Sequence, residues 1–161
     1  MSDADFGAFV GGVDYPMYVA TVAVGDVRAG CLVGFATQTS IHPPRFLVCI
    51  SGVNATARVA SKASHVAVHL LGPHQRDLAE LFGEQSGDWA DKFATVGWHE
   101  GPGGTAVLDG CPATLVGAVV ERLDLGDHEG YLLAPVEVTG DSRADVLTFQ
   151  QLRDLDPGHP A

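Results

Sequence analysis

From Met17 to Val24 the chain reads MYVATVAV, a β-branched apolar run, and after Gly25-Asp26 the stretch from Ala29 to Thr39 is again apolar, with glycines at 30 and 34. Two such runs across a Gly-Asp turn predict a hairpin. Pro43-Pro44 stops any regular ladder, and Arg45 to Ser51, RFLVCIS, has the length and continuity of a buried strand. Asn54 is a favourable N-cap for a short helix through ATARVASKA, in which Arg58 and Lys62, four apart, share a face. His65 to Leu71 alternates as a strand. A second helix is expected around HQRDLAELFGE, where Leu78, Leu81 and Phe82 fall at helical spacing.

Residues 83 to 106 are mixed and Gly-rich, ending in EGPGGT, and read as a long surface excursion of the kind that borders sites. Ala113 to Leu123 and Tyr131 to Val138 are strand-like, joined through LGDHEG, a connection suited to a hairpin. The tail after Gly140 is expected at the periphery, supplying one last short strand and then an extended arm, since Pro157 and Pro160 prevent a helix from continuing. Five or more strands with two short helices, lacking strict β-α alternation, predict a mainly β fold: an antiparallel barrel or strongly curved sheet. At 161 residues this is one domain, with its core over about 17–139.

Composition narrows the partners. Hydrophobic residues make up 46% and charged residues 18%, a globular balance. Nine Lys plus Arg against twenty Asp plus Glu leave a formal charge of −11, which disfavours nucleic acid and anionic membrane surfaces. Cys31, Cys49 and Cys111 form no C-x-x-C pair, which points to a reducing compartment. The acidic first fifteen residues lack the n-region of a secretory signal, and no apolar run approaches the roughly 20 residues of a membrane helix. The expected location is the cytoplasm, so Asn54-Ala55-Thr56 is read as local structure rather than a glycosylation acceptor.

No phosphate-loop, nucleophile-elbow, zinc-protease or Cys-cluster spacing is present. His65 and His69 would share one strand face, a weak metal pair without further ligands. Three stretches carry candidate chemistry. Ser51 to Thr56 ends a strand and opens a helix, an arrangement whose N–H groups favour an anion, with Arg58 able to add a charge-assisted contact; an ordinary N-cap explains the same residues. Gly30 to Ser40 places glycines where a flat heterocycle could approach a strand, with Gln38, Thr39 and Ser40 as polar partners, or where a barrel simply closes. His128, in Gly126-Asp127-His128, is a hydrogen-bonding group on a tight connection, or only a turn histidine.

Taken in order, AGCLVGFATQTSIHPPRFLVCIS, NAT opening a helix, HLL, DLAELFG, DKF at Asp91 to Phe93, VGW at Val96 to Trp98, VLDGCPATL, and GDH before a strand resemble the flavin reductase-like family over roughly residues 17 to 139. The resemblance implies a split β-barrel of the FMN-binding type, usually a homodimer. It implies that Leu32, Val33, Gly34 and Phe35 with Gln38, Thr39 and Ser40 cradle the flavin, that Asn54, Ala55 and Thr56 lie near its phosphate, and that His128 sits near flavin and nicotinamide. The sequence departs from the family where Leu32 replaces a common Thr, Gly34 a frequent polar residue, and His69 an Asn. Backbone donors would then carry more of the binding, or the cofactor would be altered, even to a deazaflavin.

The activity so implied is hydride transfer from NADH or NADPH to FMN or FAD, chemistry that needs no protein nucleophile and so agrees with the missing motifs. A monooxygenase is the implied recipient of reduced flavin. Alternatives left open are an oxidoreductase that keeps its flavin and acts on another small molecule, a non-catalytic flavin carrier, and a ligand-free β-barrel domain.

Overall fold

The apolar run at residues 17 to 24 becomes β1 (Tyr18–Val24), paired antiparallel with β2 (Val27–Val33) from Tyr18↔Val33 to Val24↔Val27. Gly25, at φ 58°, makes the turn between them, a conformation that favours glycine. The computed structural model describes residues 1–85, 91–141 and 143–156. The run expected to continue to Thr39 breaks after Val33 and resumes as β3 (Ala36–Ser40), paired with β4 (Arg45–Ser51). After α2 (Ala55–Ala60) come β5 (His65–Leu70), α3 (Arg76–Glu84), the short β6 (Trp98–Glu100) and β7 (Ala106–Leu108), then the long β8 (Ala113–Asp124) and β9 (His128–Gly140).

Seven strands form one antiparallel sheet in the order β2-β1-β5-β8-β9-β4-β3. The two edge strands, β2 and β3, are therefore consecutive in the chain, joined only through Gly34 and Phe35. Three Cα steps of about 3.8 Å each span at most about 11 Å, so the sheet must curl until its edges nearly meet. No ladder joins β2 to β3, and the result is a barrel split along one seam. Bulges where β8 pairs with β9 sharpen the curl, with Pro135 opposite Gly117 at one of them, where a missing N–H is tolerated.

Alternation along the strands sorts side chains between two cores. Ala20, Val22, Cys31, Val33, Val48, Ile50, Val66, Val68, Tyr131 and Leu133 fill the barrel with Ala57 and Ala60 of α2. Met17, Val19 and Leu71 face outward against Ala79 and Phe82 of α3 and Leu147 and Leu152 of the tail. β1 is thus covered on both faces, which explains its unbroken apolar sequence. α3 lies on the sheet as expected.

Three regions differ from the sequence expectation. Asp3–Gly11 is a helix, α1, begun by a Ser2/Asp5 capping box; it buries no residue, and its Phe6, Phe9 and Val10 are exposed. The tail is not peripheral: Leu147 and Leu152 are 4% and 5% exposed, and Leu147 exchanges backbone hydrogen bonds with Met17 and Leu71. Its expected strand reduces to a single bridge, Pro16↔Thr148, followed by a 3-10 turn at Phe149–Leu152; Pro157 and Pro160 lie outside the described residues.

The 83 to 106 excursion, of which 86–90 lie outside the described residues, is only partly superficial. β6 and β7 form a small sheet laid on β1 and β5, held by Thr21 Oγ1, which donates to Ala106 O at 2.5 Å, and by His69. The buried His69 ring donates from Nδ1 to Val19 O (2.9 Å) and accepts at Nε2 from the Leu108 N–H (2.9 Å). That fixes its tautomer. His69 is therefore a structural bridge, and no metal-binding cluster of His, Cys, Asp or Glu occurs among the described residues.

Candidate functional site

The Gly34-Phe35 link crosses the seam, and beside it opens a cleft of about 230 Å³. The lining includes the end of β2, from Cys31 to Val33, the Gly34-Phe35 link, and Cys49 to Ser51 of β4. Strand pairing brings the remaining elements in: Ser51 sits opposite His128 in the β4–β9 ladder, and Gly52 N–H donates to Asp127 O. Asn54, three residues past Ser51, caps α2 with its side chain on Thr56 N–H. One end of one ladder thus gathers the N-cap and the His128 turn at the seam.

Of the residues singled out from sequence, Leu32, Val33, Gly34, Phe35, Asn54 and His128 line this cleft together. Gln38, Thr39 and Ser40 continue along β3 away from its lining, and Gln38 Nε2 donates to Ser40 O. Ala55, Thr56 and Arg58 follow Asn54 on α2. Thr56 is buried, its N–H held by Asn54 and its side chain hydrogen-bonded to Cys31, while Arg58 is exposed.

Five lining residues escaped the sequence reading: Tyr15, Met17, Cys49, Ile50 and Phe149. Tyr15 and Phe149 stack with ring centroids 4.8 Å apart and planes at 13°, pinned by Phe149 N–H on Tyr15 O. They come from opposite ends of the chain, and only the docking of the tail on the segment before β1 unites them. Tyr15 also explains Gly34. A Cβ there would lie 2.7 Å from Tyr15 Cε2, so the surface that approaches this glycine is the tyrosine ring.

In the same lining, Phe35 and His128 approach at 5.1 Å between centroids, tilted by 48°. His128 Nδ1 is hydrogen-bonded to Asp127 Oδ1 at 2.7 Å, which holds the Asp127 carboxyl below its ordinary pKa and leaves Nε2 as the ring atom for a ligand. Burial pushes the Cys31 thiol up to about 11 and raises Cys49, so both are protonated near neutrality and neither is a ready nucleophile.

A flavin fits these features in kind. The cleft is mostly apolar and two aromatic pairs contribute to its lining, which suits a flat ring. Its seam is bordered by two edge strands, whose backbone groups on that side have no strand partner and can serve the polar edge of a heterocycle.

The comparisons with known proteins agree with this geometry. The family model described as flavin reductase like domain matches residues 10–156. The chain is 31% identical over 135 residues to the 4-hydroxyphenylacetate 3-monooxygenase reductase component of Klebsiella oxytoca, covering 83% of this chain and 76% of that protein. It is 30% identical over 122 residues to FMN reductase (NADH) RutF of Pseudomonas syringae pv. syringae (strain B728a), covering 76% and 68%. Among solved structures, the NADH:FAD oxidoreductase SgcE6 of Streptomyces globisporus C-1027 superposes with a TM-score of 0.83 at 24% identity, over 91% of this chain and 87% of that one. With the split barrel and its seam cleft in place, these matches assign the chain to the flavin reductase-like domain family.

Proposed function

We propose that this chain is an NAD(P)H:flavin oxidoreductase that uses FMN or FAD and hands reduced flavin to a monooxygenase. The observation that carries the reading is the seam cleft, where Leu32 to Phe35, Asn54 and His128, from three separate segments, line one space. Family membership and relatives named FMN reductase (NADH) and monooxygenase reductase component support it. The SgcE6 structure in complex with NAD and FAD fragments supports NADH as donor and flavin as acceptor.

When bound, the flavin supplies a two-electron acceptor, and the dinucleotide supplies the hydride. The protein's part is to hold two rings together and exclude water. Leu32, Val33 and the Gly34-Phe35 link form the wall for the flavin ring, with the Tyr15–Phe149 stack as its rigid backing. His128, oriented by Asp127, offers Nε2 at the cleft mouth where the nicotinamide enters. Gln38, Thr39 and Ser40, exposed or half-exposed along β3, would contact parts of the flavin beyond the ring. Asn54, Ala55 and Thr56, with Arg58, form the phosphate end in this reading.

A cleft of about 230 Å³ falls below the ~300–1,000 Å³ of a complete ligand pocket, so it covers only part of a flavin. The reading therefore includes a homodimer, in which a second copy covers Phe35, Val53, Val136 and Val138, all exposed in one chain, and completes the site. No helix of the described residues is long and apolar enough to cross a membrane. A cytoplasmic location belongs to the same reading, through three unpaired thiols.

The test is absorbance of the purified protein after FMN addition and desalting, followed anaerobically by NADH and then NADPH, alongside steady-state NAD(P)H oxidation with free FMN, FAD and a deazaflavin. Turnover with one flavin and one nucleotide names both substrates. Retained colour that neither nucleotide bleaches turns the reading to a carrier. Absence of both binding and turnover rejects it.

A further inference from the structure

Lys92 lies in DKF, on the short 3-10 turn Lys92–Ala94, and is 5% exposed in a chain whose net charge is −11. Among the described residues it is the one buried lysine, arginine or carboxylate side chain, and no carboxylate pairs with it. Its ammonium donates to two backbone carbonyls, Gly30 O at 3.1 Å and Phe82 O at 3.2 Å, and lies over the Phe82 ring at 5.4 Å. Burial lowers its pKa from the usual lysine value. For packing alone this is a poor choice. A methionine would fill the same space without desolvating a charge, while leaving the Gly30 and Phe82 carbonyls without this donor.

Both carbonyls lead to the seam cleft. Gly30 is followed by Cys31 and Leu32, which line it, and Phe82 is followed by Gly83, whose backbone lies against the Leu32 side chain. Cys31 is also within electrostatic reach of the ammonium. Lys92 therefore stands directly behind the β2 wall, with one strand between its charge and the ring site, on the order of 10 Å of low-dielectric protein.

We propose that Lys92 is the buried counter-charge for reduced flavin, acting through the β2 wall; this rests on the reductase reading above. Charge balance supplies the reason. A hydride carries two electrons and one proton, so its transfer from NADH to a neutral flavin ring gives NAD⁺ and a ring bearing one negative charge. A fixed cation behind the wall attracts the product form and is indifferent to the oxidised ring, which is differential stabilisation of the kind that favours the reaction. Among the described residues the hydrogen-bond partners of the ammonium are the Gly30 and Phe82 carbonyls, and no carboxylate forms an ion pair with it. At this separation the attraction amounts to about tenfold in affinity.

The experiment measures the two-electron midpoint potential of bound FMN, and dissociation constants of oxidised and reduced FMN, for wild type, Lys92→Met and Lys92→Arg. Wild type is expected at least about 30 mV above free FMN, which is tenfold at two electrons. Lys92→Met is expected to lose about that much, with the oxidised dissociation constant changed less than threefold, and Lys92→Arg to retain most of it. Equal weakening of both redox forms in Lys92→Met overturns the proposal and makes Lys92 a structural pin. Should Lys92→Met not fold, the wild-type potential decides, since a value below that margin overturns the proposal. Normal NAD(P)H-driven flavin reduction with an unmoved potential defeats only this inference, whereas a wild-type protein that neither binds nor reduces flavin defeats the reductase reading itself.

Discussion

Acidification should loosen the small β6–β7 sheet through one residue, His69. Its ring is fully buried, and burial pushes its pKa from 6.5 down to about 4. The folded protein holds it neutral, with Nε2 accepting from Leu108 N–H; a proton there would set two donors against each other. The unfolded chain binds that proton near pH 6.5, so between about 6.5 and 4 it carries more protons than the folded one, and stability falls as pH falls. The loss is about 2 kcal/mol by pH 5 and about 3 kcal/mol by pH 4, with little further change below. Against a total of ~5–15 kcal/mol this is a large fraction. Urea unfolding at pH 7.5 and pH 5.0, compared between wild type and His69→Gln, isolates the effect, because the carboxylates and other histidines titrate in both proteins. Wild type should lose about 2 kcal/mol more than the variant across that interval. Equal losses, with no faster amide exchange at Ala106–Leu108 in wild type at pH 5, would refute the reasoning.

Gly34→Val forces the new Cβ against the Tyr15 ring and should cost about 1–3 kcal/mol while weakening FMN binding; an unchanged melting curve and dissociation constant would separate Tyr15 from the site. His128→Asn should lower kcat/KM for the nicotinamide donor by about 10–100-fold with FMN affinity within threefold, as stopped-flow flavin reduction and fluorescence titration will show. Leu152→Ala should destabilise the fold by about 2–4 kcal/mol in urea unfolding, whereas a dispensable tail predicts less than about 0.5 kcal/mol.

Much of the fold is legible along the chain because its signals are local. Period-two alternation, the Gly25-Asp26 turn, the Asn54 cap and the spacing of Leu78, Leu81 and Phe82 each act within a few residues, and the strands and helices they predict are present. The resemblance through ordered blocks pointed to the split barrel and to residues 32–35, 38–40, 54–56 and 128, of which 32–35, 54 and 128 line the seam cleft. What remained hidden depends on contacts distant in sequence. The break of one apparent strand at Gly34-Phe35 follows from where the sheet's two edges meet, and no local pattern encodes that meeting. Tyr15 and Phe149, 134 positions apart, become one aromatic wall only when the tail docks. Nothing local in the sequence shows that Lys92 and His69 are buried, and tertiary structure alone surrounds them with carbonyls and apolar side chains. Burial sets the Lys92 ammonium against two backbone carbonyls and makes His69 a fixed neutral bridge, because the protein interior replaces the water that would otherwise solvate one and protonate the other.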